Sequence, residues 1–143
     1  MMRRALGFGL LAAGGAAAWT LIEYALGFHT TRLDVGRYTG FFGLVFPVVA
    51  IVLALRAARR ARGGLSFMQG VGEGLAVTGV FAVLGVVFLW LYYAVVNPGF
   101  FADTAQRGEP VTLASQLVVV VVSSLVMGLV ISLVAAALLR RRA

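Results

Sequence analysis

Residues 111–139 read VTLASQLVVVVVSSLVMGLVISLVAAALL and run directly into Arg140-Arg141-Arg142. A hydrocarbon core needs about 20 consecutive apolar residues of helix to cross it, and this stretch exceeds that without one ionisable side chain. Read with the same rule, the chain offers three more candidate spans, at 5–27, 38–55 and 68–96. The composition agrees. Of 143 residues, 62% are hydrophobic and 12% charged, against about 45–50% and about 25% in ordinary soluble domains. A chain this small cannot bury so much apolar surface in its own core. The fold class expected is all-α, an integral membrane four-helix transmembrane bundle with short loops, forming one membrane domain over 1–143.

The punctuation between spans supports these limits. Ser66 followed by Gln69 reads as a capping box that opens the third span. Asn97-Pro98-Gly99 closes it, because proline disfavours helix at the residue before it. Pro110 is placed as a first-turn proline of the fourth span. Pro47, midway along the second, is expected to kink it and to leave a carbonyl near position 43 short of a partner. Arg3-Arg4, Leu10-Leu11 and Ala16-Ala17-Ala18 resemble a signal peptide, but the apolar run continues to Leu26, so an uncleaved span is expected.

The net charge of +7 comes from 12 arginines and no lysine, set against five acids. The arginines sit in short clusters between apolar runs, as orientation signals do, so nucleic acid is not the expected partner. With four spans, Arg3 and Arg4, Arg56, Arg59, Arg60 and Arg62, and Arg140, Arg141 and Arg142 fall on one side. Arg32, Arg37 and Arg107 fall on the other. That asymmetry places both termini in the cytoplasm of a bacterial inner membrane, with the cytoplasmic arginines available to anionic headgroups. Tyr24, Phe28, Tyr38, Trp90, Tyr92, Tyr93, Phe100 and Phe101 map to the opposite boundary, where aromatic rings prefer to lie.

Helices in lipid associate through small residues that allow close approach. Ser124, Gly128, Ser132 and Ala136 form one such stripe, Gly70 and Gly74 another, and Gly14 with Ala18 a weaker one. Packing within the four-helix bundle is the expected use, and a homodimer seam the alternative.

Ionisable residues inside a membrane are costly and are functional candidates by default. Two qualify. Glu23 lies roughly 6 Å below its helix end, with Arg32 and Arg37 as partners within reach. Glu73 lies about two turns into the third span, with Arg56, Arg59 or Arg60 as its expected partner. Interfacial ion pairing is the plain reading of both. Gly15–Ala17, Pro47, Ala82–Leu84 and Ser123–Leu125 are expected at the midplane. They hold no titratable group, which argues against a proton pump built from one copy. A pore between copies lined by Ser123 and Ser124 stays open. His29, the one histidine, is read as a loop residue at the interface, and no metal or cofactor is expected. Gly70, Gly72 and Gly74 lack the strand and the Gly-Lys-Ser/Thr of a phosphate loop. No nucleophile elbow, zinc-helix signature or catalytic carboxylate pair is present, so an enzyme is not expected.

Glu23-Tyr24-Ala25-Leu26-Gly27-Phe28-His29, Tyr38-Thr39-Gly40-Phe41 and Gly64-Leu65-Ser66-Phe67-Met68-Gln69-Gly70 follow one another along the chain. Leu91-Tyr92-Tyr93-Ala94-Val95-Val96-Asn97-Pro98-Gly99-Phe100 and Gly128-Leu129-Val130-Ile131-Ser132 complete the order. Together they resemble the bacterial membrane proteins grouped as domain of unknown function 4199. The resemblance implies a four-span helical protein, common in the Bacteroidota, with no settled activity. Its matching positions are Glu23, Tyr24, Tyr38, Gln69, Asn97 and Pro98. The family often has a basic residue where this chain has Glu73 and an acid where it has Gly99, which favours the ion-pair reading of Glu73.

The leading functional expectation is a non-enzymatic accessory or assembly subunit, acting within a larger membrane complex or as a homo-oligomer. The alternative is a small ion channel or transporter with Glu23 and Glu73 near opposite mouths. A lipid-binding protein using the arginines is a third reading.

Overall fold

A computed structural model describes residues 1–140; Arg141 and Arg142, read above as headgroup contacts, lie outside the described residues. Every regular element among them is helical: α1 (Met2–Ala25), α2 (Leu33–Thr39), a 3₁₀ stretch (Gly40–Leu44), α3 (Val45–Arg62), α4 (Phe67–Leu91), a π-helical turn (Tyr92–Val96), α5 (Phe100–Gln106) and α6 (Leu113–Leu139). Four apolar helical stretches are long enough to cross a bilayer: Met2–Ala25, Leu33–Arg62, Phe67–Val96 and Leu113–Leu139. The protein is a multi-pass membrane protein built as a helical bundle.

Most boundaries follow from local chemistry. Ser66 accepts from the Gln69 backbone N–H at 3.3 Å, and the Gln69 side chain accepts from the Ser66 backbone N–H at 3.1 Å. This is the expected capping box, and it accounts for Gln69. Thr112 and Ser115 form a second one at the start of α6, so Pro110 lies before the cap rather than in the first turn. The second span is longer than 38–55. Helix persists through Arg62 and stops at Gly63, whose φ of +68° is the left-handed conformation that ends helices. Arg56, Arg59, Arg60 and Arg62 therefore stand on helix and not in a loop. The irregularity expected at Pro47 falls just ahead of it. Pro47 occupies the first turn of α3, and the preceding Gly40–Leu44 is wound as 3₁₀.

Packing centres on α4, which contacts α1, α3 and α6; α3 also contacts α1 and α6. The α4–α6 seam is an antiparallel zipper in which each four-residue step along α4 is matched by a step back along α6. A Cβ added at Gly70 would lie 2.8 Å from Ala136 Cβ, one at Gly74 2.7 Å from Ser132 Cβ, and one at Gly128 2.8 Å from Thr78 Cβ. Gly70 and Gly74 of one predicted stripe, and Gly128, Ser132 and Ala136 of the other, are thus spent inside the chain; Ser124 lies beyond the seam. Gly14 has nothing near it, and α1 makes its close approaches at Gly9, against Val80, and at Gly15, against Phe46.

The buried apolar core includes Ala5 and Ala12 of α1, Ile51 and Leu55 of α3, Val71 of α4 and Ala136 of α6. All of these lie in the half of the bundle that carries the arginine-rich ends. α1 and α6 are not principal packing partners, and in the other half space remains between them.

Candidate functional site

The two membrane acids sit at opposite ends of the bundle. Glu73 is completely buried. Arg4 Nε donates to its Oε1 at 2.9 Å, and Arg62 Nη2 lies 3.5 Å from its Oε2. The expected partners Arg56, Arg59 and Arg60 do not reach it. The reason is helical phase: Ile51, Leu55, Ala58 and Arg62 recur at the three- and four-residue spacing that keeps one face inward. Arg56, Arg59 and Arg60 lie on the exposed face. There, with Gly63 and Leu139, they edge an open recess of about 550 Å³. Arg140 is exposed at the end of α6.

Glu23 is also buried, at 3% exposure, but its surroundings differ. The α1 C-terminus ends in a paired-bond turn: Phe28 N–H donates to the Glu23 carbonyl and Gly27 N–H to the Tyr24 carbonyl, each at 2.9 Å. Gly27 takes φ +77° to allow it. This reversal folds the following residues back over the helix end, and it brings His29 to Glu23. Nε2 of His29 lies 3.5 Å from Glu23 Oε2. Its Nδ1 is 2.6 Å from the Tyr92 hydroxyl. Asn97 Nδ2 donates to the same hydroxyl at 3.4 Å. One proton arrangement satisfies the set: Asn97 donates to Tyr92, Tyr92 to His29 Nδ1, and a neutral imidazole presents Nε2–H to the carboxylate. Burial pushes the His29 pKa below its ordinary value, against the opposing pull of Glu23. Glu23 Oε1 is buried with no hydrogen-bond partner.

The arginines expected beside Glu23 are occupied elsewhere. The Arg32 guanidinium stands 5.6 Å over the Phe28 ring. Arg37 binds Glu109 at 2.6 Å, and Arg107 donates to the Thr30 carbonyl at 2.9 Å. These last two contacts clasp α2 and the α1–α2 loop to the segment that leads into α6.

Glu23 and His29 line a cavity of about 350 Å³ between the spans. Its polar wall includes Thr78, Gln116, Ser123 and Ser124, and its apolar wall includes Trp19, Phe81 and Ile131. Ser123 and Ser124, placed at the midplane and considered for a pore between copies, thus face a space inside one copy.

Of the candidate residues, Glu23 and Asn97 meet at this cluster, and Tyr24 joins it edge-on to Tyr92 at 6.0 Å between ring centres. Tyr38 is 77% exposed, Gln69 caps α4, and Glu73 belongs to the other end. His29 and Tyr92, expected at the boundary, turn toward the inside of the bundle: Tyr92 is buried and His29 is only partly exposed. The signal for Tyr92 was the Asn-Pro-Gly terminus. Asn97 N–H reaches back five residues to the Tyr92 carbonyl at 2.8 Å, opening the helix into a π turn of the kind often found at functional positions.

Residues 7–141 match the family model described as "Protein of unknown function (DUF4199)". The chain belongs to this family. The match covers most of the first span and the other three, the Glu23–His29–Tyr92–Asn97 cluster, and Glu73 with Arg62 but not Arg4, so the family resemblance read from the loops holds. No curated protein and no solved structure matches the chain.

Proposed function

We propose that this DUF4199 protein is a non-enzymatic membrane carrier for a small solute, loaded from the face opposite the arginine-rich ends. The observation that carries the reading is the cavity in that half of the bundle, with a buried carboxylate in its wall. Arg4, Glu73 and Arg62 then act as the closure of the other end, since their ion pairs would have to part for the bundle to open there. The non-enzymatic reading is supported by a sequence without a nucleophile elbow, a zinc-helix signature or a carboxylate pair at catalytic spacing. The arginine asymmetry supports a cytoplasmic position for the closed end, in a bacterial inner membrane. The recess edged by Arg56, Arg59 and Arg60 suits anionic headgroups, whose affinity should fall with added salt.

The chain contains no cysteine, so single thiols report directly on access. In proteoliposomes, Ser124→Cys should react with a membrane-impermeant thiol reagent added on the face opposite the arginines. Ser132→Cys, in the α4–α6 seam, should not react. Equal labelling of Ser124→Cys from both faces, or none from either, would remove the carrier reading.

An accessory subunit is the second reading, and a specific observation favours it. Outward-facing α6 residues such as Val118, Val122, Val126 and Val134 are half or more exposed, a surface that a neighbouring membrane helix could cover as well as lipid. A monomer that purifies alone in mild detergent would count against it.

A further inference from the structure

Resting on that carrier reading, we propose that the cavity's occupant is a small organic ammonium ion whose charged head pairs with Glu23 and whose body lies along the apolar wall. The first argument is charge. Glu23 is 3% exposed and Oε1 has no hydrogen-bond partner. The three arginines of that face are committed to Phe28, Glu109 and Thr30. His29, with its pKa lowered by burial, contributes a neutral donor at neutral pH. An uncompensated charge in a low-dielectric interior costs several kcal/mol, and a cation held beside Glu23, in the cavity that residue lines, lowers that cost.

The second argument separates an organic cation from a metal ion. Hard cations demand about six or more oxygen ligands around one point. Among the described residues no three His, Asp or Glu side chains converge on a common position. The cavity instead combines one carboxylate with the aromatic side chains of Trp19, Tyr92 and Tyr93 and with apolar carbon from Phe81 and Ile131. That is the mixture an ammonium group on a hydrocarbon body uses, through charge pairing, cation–π attraction and apolar contact together. The volume of about 350 Å³ lies near the lower end of ligand pockets, roughly 300–1,000 Å³, and suits a molecule well below drug size.

The test is titration of the purified full chain, in lipid nanodiscs, with phenethylammonium chloride. Trp19 fluorescence and calorimetry are the readouts, and 2-phenylethanol and sodium chloride are the comparison probes. Saturable binding of the ammonium at least tenfold tighter than the alcohol is expected, with a loss of tenfold or more in Glu23→Gln. Ser124→Phe keeps the carboxylate but fills the space from another helix, and it should abolish binding as well. Equal affinity for the alcohol, undiminished binding in a folded Glu23→Gln or Ser124→Phe, displacement by sodium alone, or no saturation would each overturn the inference. If Ser124→Cys still labels from one face only while no ammonium binds, the ligand assignment falls and the carrier reading stands. If the label is lost as well, both fall.

Discussion

Glu73 and Glu23 are both buried in membrane helices, and the two halves of the bundle treat them in opposite ways. In the arginine-rich half, Arg4 and Arg62 hold the two oxygens of Glu73, and small residues bring α4 and α6 together with no space between them. In the other half Glu23 keeps one oxygen unpartnered, and a cavity lies beside it. The change occurs where the zipper runs out, at Thr78 and Gly128, which belong to both the seam and the cavity wall. Lipid offers helices no hydrophobic gain for associating, so close approach of small side chains has to hold the bundle. Where that approach lapses, the interior is free to hold something else. One half is built for cohesion and the other for occupancy.

The largest expected break of this contrast is in the seam. Gly74→Leu inserts a side chain where even a Cβ would lie 2.7 Å from Ser132 Cβ, and overpacking of this kind should destabilise by about 3 kcal/mol or more. Ser124→Leu, on the same α6 stripe but in the cavity wall, should cost little. Thermal unfolding in one detergent compares them directly. Similar losses in both variants would mean that the halves are packed alike.

The acids should then differ in sign. Glu73→Gln removes a charge that Arg4 and Arg62 satisfy, and it should destabilise by about 2 kcal/mol, less than for a fully buried pair because both arginines reach solvent. Glu23→Gln removes a charge with an unpartnered oxygen and should be neutral or stabilising in ligand-free protein. Denaturation midpoints that fall equally in the two variants would contradict the contrast.

The legibility of the sequence divides along the same line. The spans were readable because the bilayer imposes a length on any helix that crosses it, and the α4–α6 stripes because four-residue spacing marks a helix face. The Ser66–Gln69 cap was readable because its chemistry is local. The partners of Glu73 were not: ending the second span at 55 concealed the helical phase that brings Arg62 to Glu73 and turns Arg56, Arg59 and Arg60 outward. The Glu23 cluster was harder still. His29 reaches Glu23 because Gly27 reverses the chain, and Asn97 comes back to the Tyr92 hydroxyl because the π turn carries it there. Neither consequence shows in hydropathy, and a lone histidine beside an aromatic boundary gives no hint of its contacts.

Gly27 therefore allows a narrower test. At φ +77° a Cβ is strained, and it would also lie 2.6 Å from Thr31 Oγ1. Gly27→Ala should cost about 1 kcal/mol and should displace His29 from Glu23. The imidazole NMR shifts of the variant should move toward those of an exposed histidine. Shifts identical to the parent's would show that the reversal does not position the ring.

The smallest effect expected is a pH dependence carried by His29. Burial lowers its pKa in the folded state below the ordinary value of about 6.5. Above that ordinary value the ring is neutral in both folded and unfolded chains and contributes no dependence. As pH falls through it, the unfolded chain takes up a proton that the folded chain refuses, so stability declines until the folded-state pKa is reached. The parent should therefore lose stability between pH 7 and pH 5 relative to His29→Asn, which lacks the group, while the carboxylates that do not touch the ring cancel in the difference. A parent that gains stability over the same interval would mean that attraction to Glu23 outweighs burial. The cluster would then carry its own compensating cation, and Glu23 would have no need of one from outside.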